Sequence, residues 1–171
     1  ELYNRTEHEI ALDEWILHDT DAPEDSRFSI TLSGTIPANS YYLIERTDDD
    51  TVNGITADLS VPFSDGGLNN DGEHLLLERV HAHGTTTIDA VPECHHSWCA
   101  GRGSGYATME RVSPRVSGKK VTNWRSAMHA LKQNGTDEKG GAISGTPGMR
   151  NSVNHLVRVS GVQRGDDGTL K

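Results

Sequence analysis

The chain is 171 residues long, with 16 Lys plus Arg against 25 Asp plus Glu and a formal charge of −9. Apolar residues reach 33%, lean but outside the charge-rich, core-poor composition of a disordered chain, and aromatics are only 5%, against an aromatic single-strand nucleic-acid platform. No apolar run approaches the roughly 18 residues of a membrane helix, and two cysteines exclude a disulfide-dense miniprotein or a four-cysteine zinc ribbon.

The opening Glu1-Leu2-Tyr3-Asn4 reads as the middle of a strand, with neither the basic start nor the apolar run of a signal peptide. The chain is therefore expected to be a segment of a longer protein. Trp15-Ile16-Leu17 reads as a buried strand, followed by an acidic loop with Pro23. Phe28, Ile30 and Leu32 alternate with Ser29, Thr31 and Ser33, the period of a half-buried strand. Residues 41–45 are rich in β-formers. Residues 51–64 read as irregular, with Pro62 and Phe63 pinning a loop to the core. Asn69-Asn70-Asp71-Gly72 is a turn signal. Strands are expected over 73–80, 85–91 and 106–112, the last closed by Pro114. One short helix is expected where Trp124, Ala127, Met128 and Leu131 share a helical face, capped by Thr122 or Asn123 and ended by Gly135. The pattern predicts an all-β sandwich or barrel.

Charge is divided unevenly. Residues 1–99 carry 4 basic and 20 acidic side chains, residues 100–171 carry 12 and 5. Such asymmetry marks an anion-binding face or simply interleaves in the folded body.

The order Trp15-Ile16-Leu17, Phe28-Ser29-Ile30, Ile36-Pro37-Ala38, Tyr42-Leu43-Ile44 resembles the lamin tail domain family. So do Leu68-Asn69-Asn70-Asp71-Gly72-Glu73, Trp98 in a glycine-flanked loop, Thr108-Met109-Glu110-Arg111-Val112-Ser113-Pro114, Asn123-Trp124 and Gly145-Thr146-Pro147-Gly148. The resemblance covers residues 1–151 and implies an immunoglobulin-like β-sandwich, here with one short helix near the C-terminal part. Residues 1–4 match only the end of the family's opening strand, which lies upstream or has its place covered by another segment, since an open edge invites pairing. Residues 152–171 read as a linker or the start of a following domain.

Cys94-His95-His96-Ser97-Trp98-Cys99 concentrates metal-ligating side chains. Four ligands this close strain against tetrahedral geometry, and a local disulfide between Cys94 and Cys99 is simpler; free thiols and a metal site stay open as alternatives. Trp98 reads as core. His95, His129 and Asp89 form a hydrolytic site only on paper, since no nucleophile or metalloprotease motif accompanies them. His81 and His83 share a strand face or sit at a hairpin in solvent. Gly101-Arg102-Gly103-Ser104-Gly105 has the glycine density of a phosphate loop without its flanking strand and helix. Asp48-Asp49-Asp50 and Asp19, Asp21 and Asp25 lack the spacing of a calcium loop. Asn4-Arg5-Thr6 and Asn134-Gly135-Thr136 are glycosylation sequons on paper. Arg102, Arg115, Lys119, Lys120, Arg125 and Lys132 are the candidate contact for phosphate or another acidic polymer, with Arg111 expected to pair with a carboxylate.

No catalytic residue, cofactor or metal is assigned. The resemblance implies a non-catalytic interaction or anchoring module of a larger secreted or cell-surface protein, meeting a protein or a surface polymer. The alternative is an accessory nucleic-acid-binding domain attached to an extracellular nuclease or phosphatase. The cysteine pair fits an oxidising, extracellular setting.

Overall fold

The computed structural model describes residues 1–20, 27–63, 67–103, 105–128 and 134–154. Its strands are β1 (Leu2–Tyr3), β2 (Ile10–Ala11), β3 (Trp15–Asp19), β4 (Ser29–Thr31), β5 (Thr35–Ile36) and β6 (Tyr41–Tyr42). Then come β7 (Ile44–Arg46), β8 (Leu59–Val61), β9 (Leu75–His81), β10 (Gly84–Val91), β11 (Met109–Arg111) and β12 (Trp124–Ser126). The fold is all-β. One antiparallel sheet has the order β10-β9-β3-β4, and the other strands pair as β1-β6, β2-β5, β11-β12 and the parallel β7-β8.

The alternation at β4 does what its period dictates. Phe28, Ile30 and Leu32 are buried, and Ser29, Thr31 and Ser33 face solvent. Register then aligns the apolar rows: Leu17 lies opposite Ile30 on one side and Leu77 on the other, and Val91 opposite Leu75. These side chains join Leu12, Ile36 and Tyr42 in one core, with Leu2, Ile10, Ile44, Leu59 and Val61 packed against it from the short pairs. Phe63 meets Phe28 edge-on at 4.9 Å, so it does pin its loop to the core. The segment read as irregular holds a strand, β8, because its pairing partner β7 is parallel and its residues have no local hairpin signal.

Strands of two or three residues leave many backbone groups without a ladder partner, and buried polar side chains supply what is missing. Asn4 donates from Nδ2 to the carbonyls of His8 (2.7 Å), Ile36 (3.0 Å) and Pro37 (3.0 Å). Asp19 accepts from Phe28 N at 2.7 Å. Glu45 accepts from Thr51 N at 3.0 Å and Val52 N at 3.2 Å. Glu110, only 4% exposed, accepts from Thr146 Oγ1 (2.8 Å), Ser152 Oγ (2.6 Å) and Val153 N (3.2 Å). The packed body thus continues through Ser152 and Val153; residues 155–171 lie outside the described residues.

The expected helix is not formed where the chain is described. Val121–Asn123 is a single 3₁₀ turn, and Trp124–Ser126 is β12 in register with β11. Partners outside the segment override the helical spacing: the Trp124 indole N–H donates to Gly118 O at 2.7 Å, and Ala127 N to Thr108 O at 2.8 Å. Ala127 is buried while Met128 is exposed, so the two do not share an apolar face. His129 and Leu131 lie outside the described residues.

On the outer face of the large sheet, His18 Nε2 stands 3.1 Å from Glu78 Oε2, and Thr87 Oγ1 donates to Glu78 Oε1 at 2.8 Å. Burial works to raise the Glu78 carboxyl, but hydrogen bonds from Thr87, His18 and Thr85 outweigh it and hold the group below the usual carboxylate range. A folded-state value below the unfolded one means a contribution that is full above the unfolded value and fades as pH falls through the folded one. Glu78→Gln is therefore expected to flatten the acid limb of a Tm-versus-pH curve below about pH 5; an unchanged limb contradicts the assignment. Glu110→Ala strands three buried donors and should cost about 2–4 kcal/mol in urea unfolding, and a loss under about 0.5 kcal/mol would show that they find other partners.

Candidate anion interface

The hairpin β11–β12 is joined by residues 112–123, irregular up to the 3₁₀ turn at Val121–Asn123. Its backbone is held from beneath. Asn123 accepts from Ser113 N at 3.0 Å and donates to Ser113 O and Val116 O, each at 3.0 Å. Arg111 donates to Val116 O as well. Gly118 N donates to Asp89 Oδ1 at 3.3 Å. Asp89 also forms an ion pair with Arg111, whose guanidinium lies 5.9 Å from the centre of the Trp124 ring. Arg111 thus has the carboxylate partner its sequence context called for. Gly118 is required for this seating, since a Cβ there would stand 2.1 Å from Ala90 O.

With the carbonyls of Ser113, Val116 and Gly118 turned inward, the loop presents side chains outward. Arg115, Lys119 and Lys120 are exposed, as are Val116 and Val121. Arg125 is exposed on β12 and donates to Thr122 O and Trp124 O at 3.2 and 2.7 Å. Arg102 is exposed in a tight turn against Ala107, joined to β12 through Gly101 N and Ser126 Oγ at 2.9 Å. None of these five cations forms an ion pair among the described residues. Lys132 lies outside the described residues, as does Ser104. Sequence reasoning missed Tyr106, which is 77% exposed at the tip of the Arg102 turn. Its signal was the set of glycines around it, Gly101, Gly103 and Gly105, which carry no side chain to cover the ring.

The other sequence candidates resolve differently. Cys94 and Cys99 are bonded, with Cα atoms 5.0 Å apart, which removes both sulfurs as metal ligands. The bridge closes a loop in which His95 and His96 both take positive φ (52° and 57°) and face solvent. Trp98 packs against the core and donates from Nε1 to Asn69 O at 2.9 Å. Gly72 (φ 90°) lets the loop backbone approach, since a Cβ would meet the Ser97 carbonyl carbon at 2.3 Å. Asp89 belongs to Arg111 and Gly118, so it does not serve His95. His81 ends β9 and His83 lies in the two-residue turn before Gly84, so the pair shares a hairpin in solvent and not a strand face. Asp48 and Asp49 accept from the backbone N–H groups of Asp50 (3.3 Å) and Ala57 (2.6 Å). Asp21 and Asp25 lie outside the described residues. Among the described residues no group of three His, Cys, Asp or Glu is placed to hold a metal. The sequon residue Asn4 is buried and fully bonded, and Asn134 donates to Pro147 O at 2.8 Å, so both side-chain amides are structural.

A cavity of about 390 Å³ is lined by Asn39, Ser40, Tyr41, Leu43, Thr56 and Asp58, among others. Burial, with Tyr3 and Glu1 adding, pushes the Tyr41 phenol up to about 12, so it stays neutral, and Asp58 is tied to Leu43 N at 2.7 Å. Comparison of the chain with protein-family models, curated proteins and solved structures finds no match.

Gly118→Ala should lift the loop off β10 and cost about 1–3 kcal/mol by overpacking; a neutral result in thermal unfolding contradicts the close approach. Replacing Cys94 and Cys99 by Ser should cost about 2 kcal/mol, the value for a short closed loop. Intact mass should rise by two hydrogens on reduction, and two thiols open to alkylation without reductant would contradict the bridge.

Proposed function

We propose that the chain is a non-catalytic interaction module, an anchoring domain of a larger secreted or cell-surface protein. Its fold is read as an immunoglobulin-like β-sandwich of the lamin tail type, on the order and spacing of the motifs from Trp15 to Gly148. Its contact surface is the basic loop with Arg115, Lys119 and Lys120, flanked by Arg125 and Arg102. One observation carries this reading: a loop whose backbone is bonded inward at three carbonyls, and whose cations are exposed and unpaired among the described residues. Residues 100–128 carry five basic side chains besides the paired Arg111 and one acidic, and that one, Glu110, is buried and turned inward. A pre-ordered cationic loop binds an anion without first losing the entropy of ordering itself. The Cys94–Cys99 bridge fits an oxidising compartment.

A second reading, an accessory nucleic-acid-binding domain, is favoured by Tyr106. An exposed ring beside Arg102 supplies the stacking partner that a phosphate contact alone lacks.

Both readings make affinity for a polyanion fall with salt. Inorganic polyphosphate titrated against the chain should bind at low salt. Lys119→Gln with Lys120→Gln should then reduce the slope of log K against log salt by about 2. Absence of binding at about 50 mM salt, or a slope unmoved by the double substitution, contradicts the proposal.

A further inference from the structure

β10 is an outer strand of the four-stranded sheet, and its two halves have different surroundings. From Asp89 onward the open edge is covered. Gly118 N donates to Asp89 Oδ1, and Gly118 sits against Ala90 O. Strand carbonyls lie in the plane of the sheet, so a segment seated on that oxygen occupies the edge itself. The register irregularity between Thr87 and Asp89 marks where this cover begins. On the other side of it, Gly84, Thr85, Thr86, Thr87 and Ile88 are all exposed, and β9 is their strand partner among the described residues.

The open half has an unusual composition for an edge. It holds no charge and no proline, and four of its five residues are β-branched. Soluble proteins commonly blunt an edge with lysine, proline or a short strand, and the free half of β10 has none of these. Its backbone polarity follows from the register. His81 and Gly84 close a two-residue turn and so form the hydrogen-bonded pair at the end of the hairpin. Alternation from that pair turns the N–H and C=O of Thr85 and Thr87 away from β9. The Thr85 and Thr87 side chains are bonded to Glu78, which leaves their backbones as the groups on offer.

The basic loop starts where this free edge stops. A strand laid along Thr85 and Thr87 and continued past Ile88 runs into the segment that carries Arg115, Lys119 and Lys120. The geometry points to a strand-docking site for an extended acidic peptide: its backbone pairs with Thr85 and Thr87, and its carboxylates meet the three cations. This rests on the reading of the loop as an anion contact. The occupant is set by the two halves together. The cations select a negative chain, and only a peptide offers the edge a ladder of N–H and C=O groups; a polyphosphate, a nucleic acid or a lipid surface offers the charge alone.

The test uses the 171-residue chain and four probes: an acetylated octapeptide alternating Glu and Val, its two alternately N-methylated forms, and inorganic polyphosphate. The parent peptide should bind, one of the two N-methylated forms should bind about tenfold more weakly, and Thr85→Pro should weaken the parent by a similar factor. Polyphosphate affinity should be untouched by Thr85→Pro, which also shows that the variant is folded. Lys119→Glu with Lys120→Glu should weaken both ligands. Equal binding of all three peptides overturns strand addition, and so does polyphosphate binding without peptide binding; both leave the anion contact standing. Failure of polyphosphate and peptide alike overturns the anion contact as well. The N-methyl groups sit on the ligand, so the comparison among peptides holds whether or not any variant folds.

Discussion

A fold in which nine of the twelve described strands are only two or three residues long is constrained first by its buried backbone groups. Ladders this short cannot pair them, and an unpaired buried N–H or C=O costs about 1–3 kcal/mol. Here the shortfall is met by a few carboxylates and amides drawn into the interior. Asn4 closes the connection between the first strand and residues 36–37, Asp19 holds the start of β4, Glu45 holds the turn after β7, and Glu110 gathers residues 146–153. The apolar core sets which faces turn inward. These polar side chains determine how the chain travels between them, and they fix the ends of the strands.

The same device, moved to the surface, builds the candidate interface. Asn123 does for the loop after β11 what Asn4 does for the N-terminal turn, and the Arg111–Asp89 pair fastens that loop to β10. Each bond beneath the loop uses a backbone group or an interior side chain. The charges of Arg115, Lys119 and Lys120 are left over, and they project from a support that is already ordered. In a chain of net charge −9, such a loop is an island of opposite sign. Its seat on Asp89 and Ala90 also divides β10 into a covered half and an open half, so the placement of the cations and the exposure of the edge have one cause.

Much of the strand pattern was legible, because period-two alternation is imposed by the chain itself. Phe28, Ile30 and Leu32 could be read from it directly, and the strands now seen as β9 and β10 from the turn signal at residues 69–72 and a β-branched run. The disulfide was legible from spacing as the simplest of three alternatives. What could not be read was whatever depended on a distant partner. Leu59–Val61 becomes a strand because β7 lies parallel to it. Trp124, Ala127 and Met128 share the spacing of a helix, yet Trp124 pairs with Arg111 across a hairpin. The cations were identifiable as a group from charge density. The network that pins them was not, because Asn123 looked like a helix cap and Asp89 like a partner, on paper, for His95 and His129. Asn4 shows the reverse error: its local triplet spells a modification signal, while its burial is set by residues more than thirty positions away.

If a loop fastened from below presents its cations to an anionic partner, ligand contact should register on that loop first. Backbone amide shifts recorded by NMR while inorganic polyphosphate is added test this most directly. The resonances of Arg115, Lys119, Lys120 and Val121 are expected to move together and saturate, with those of β7 and β8 unmoved. Shifts confined to some other surface, or none at all, would contradict it.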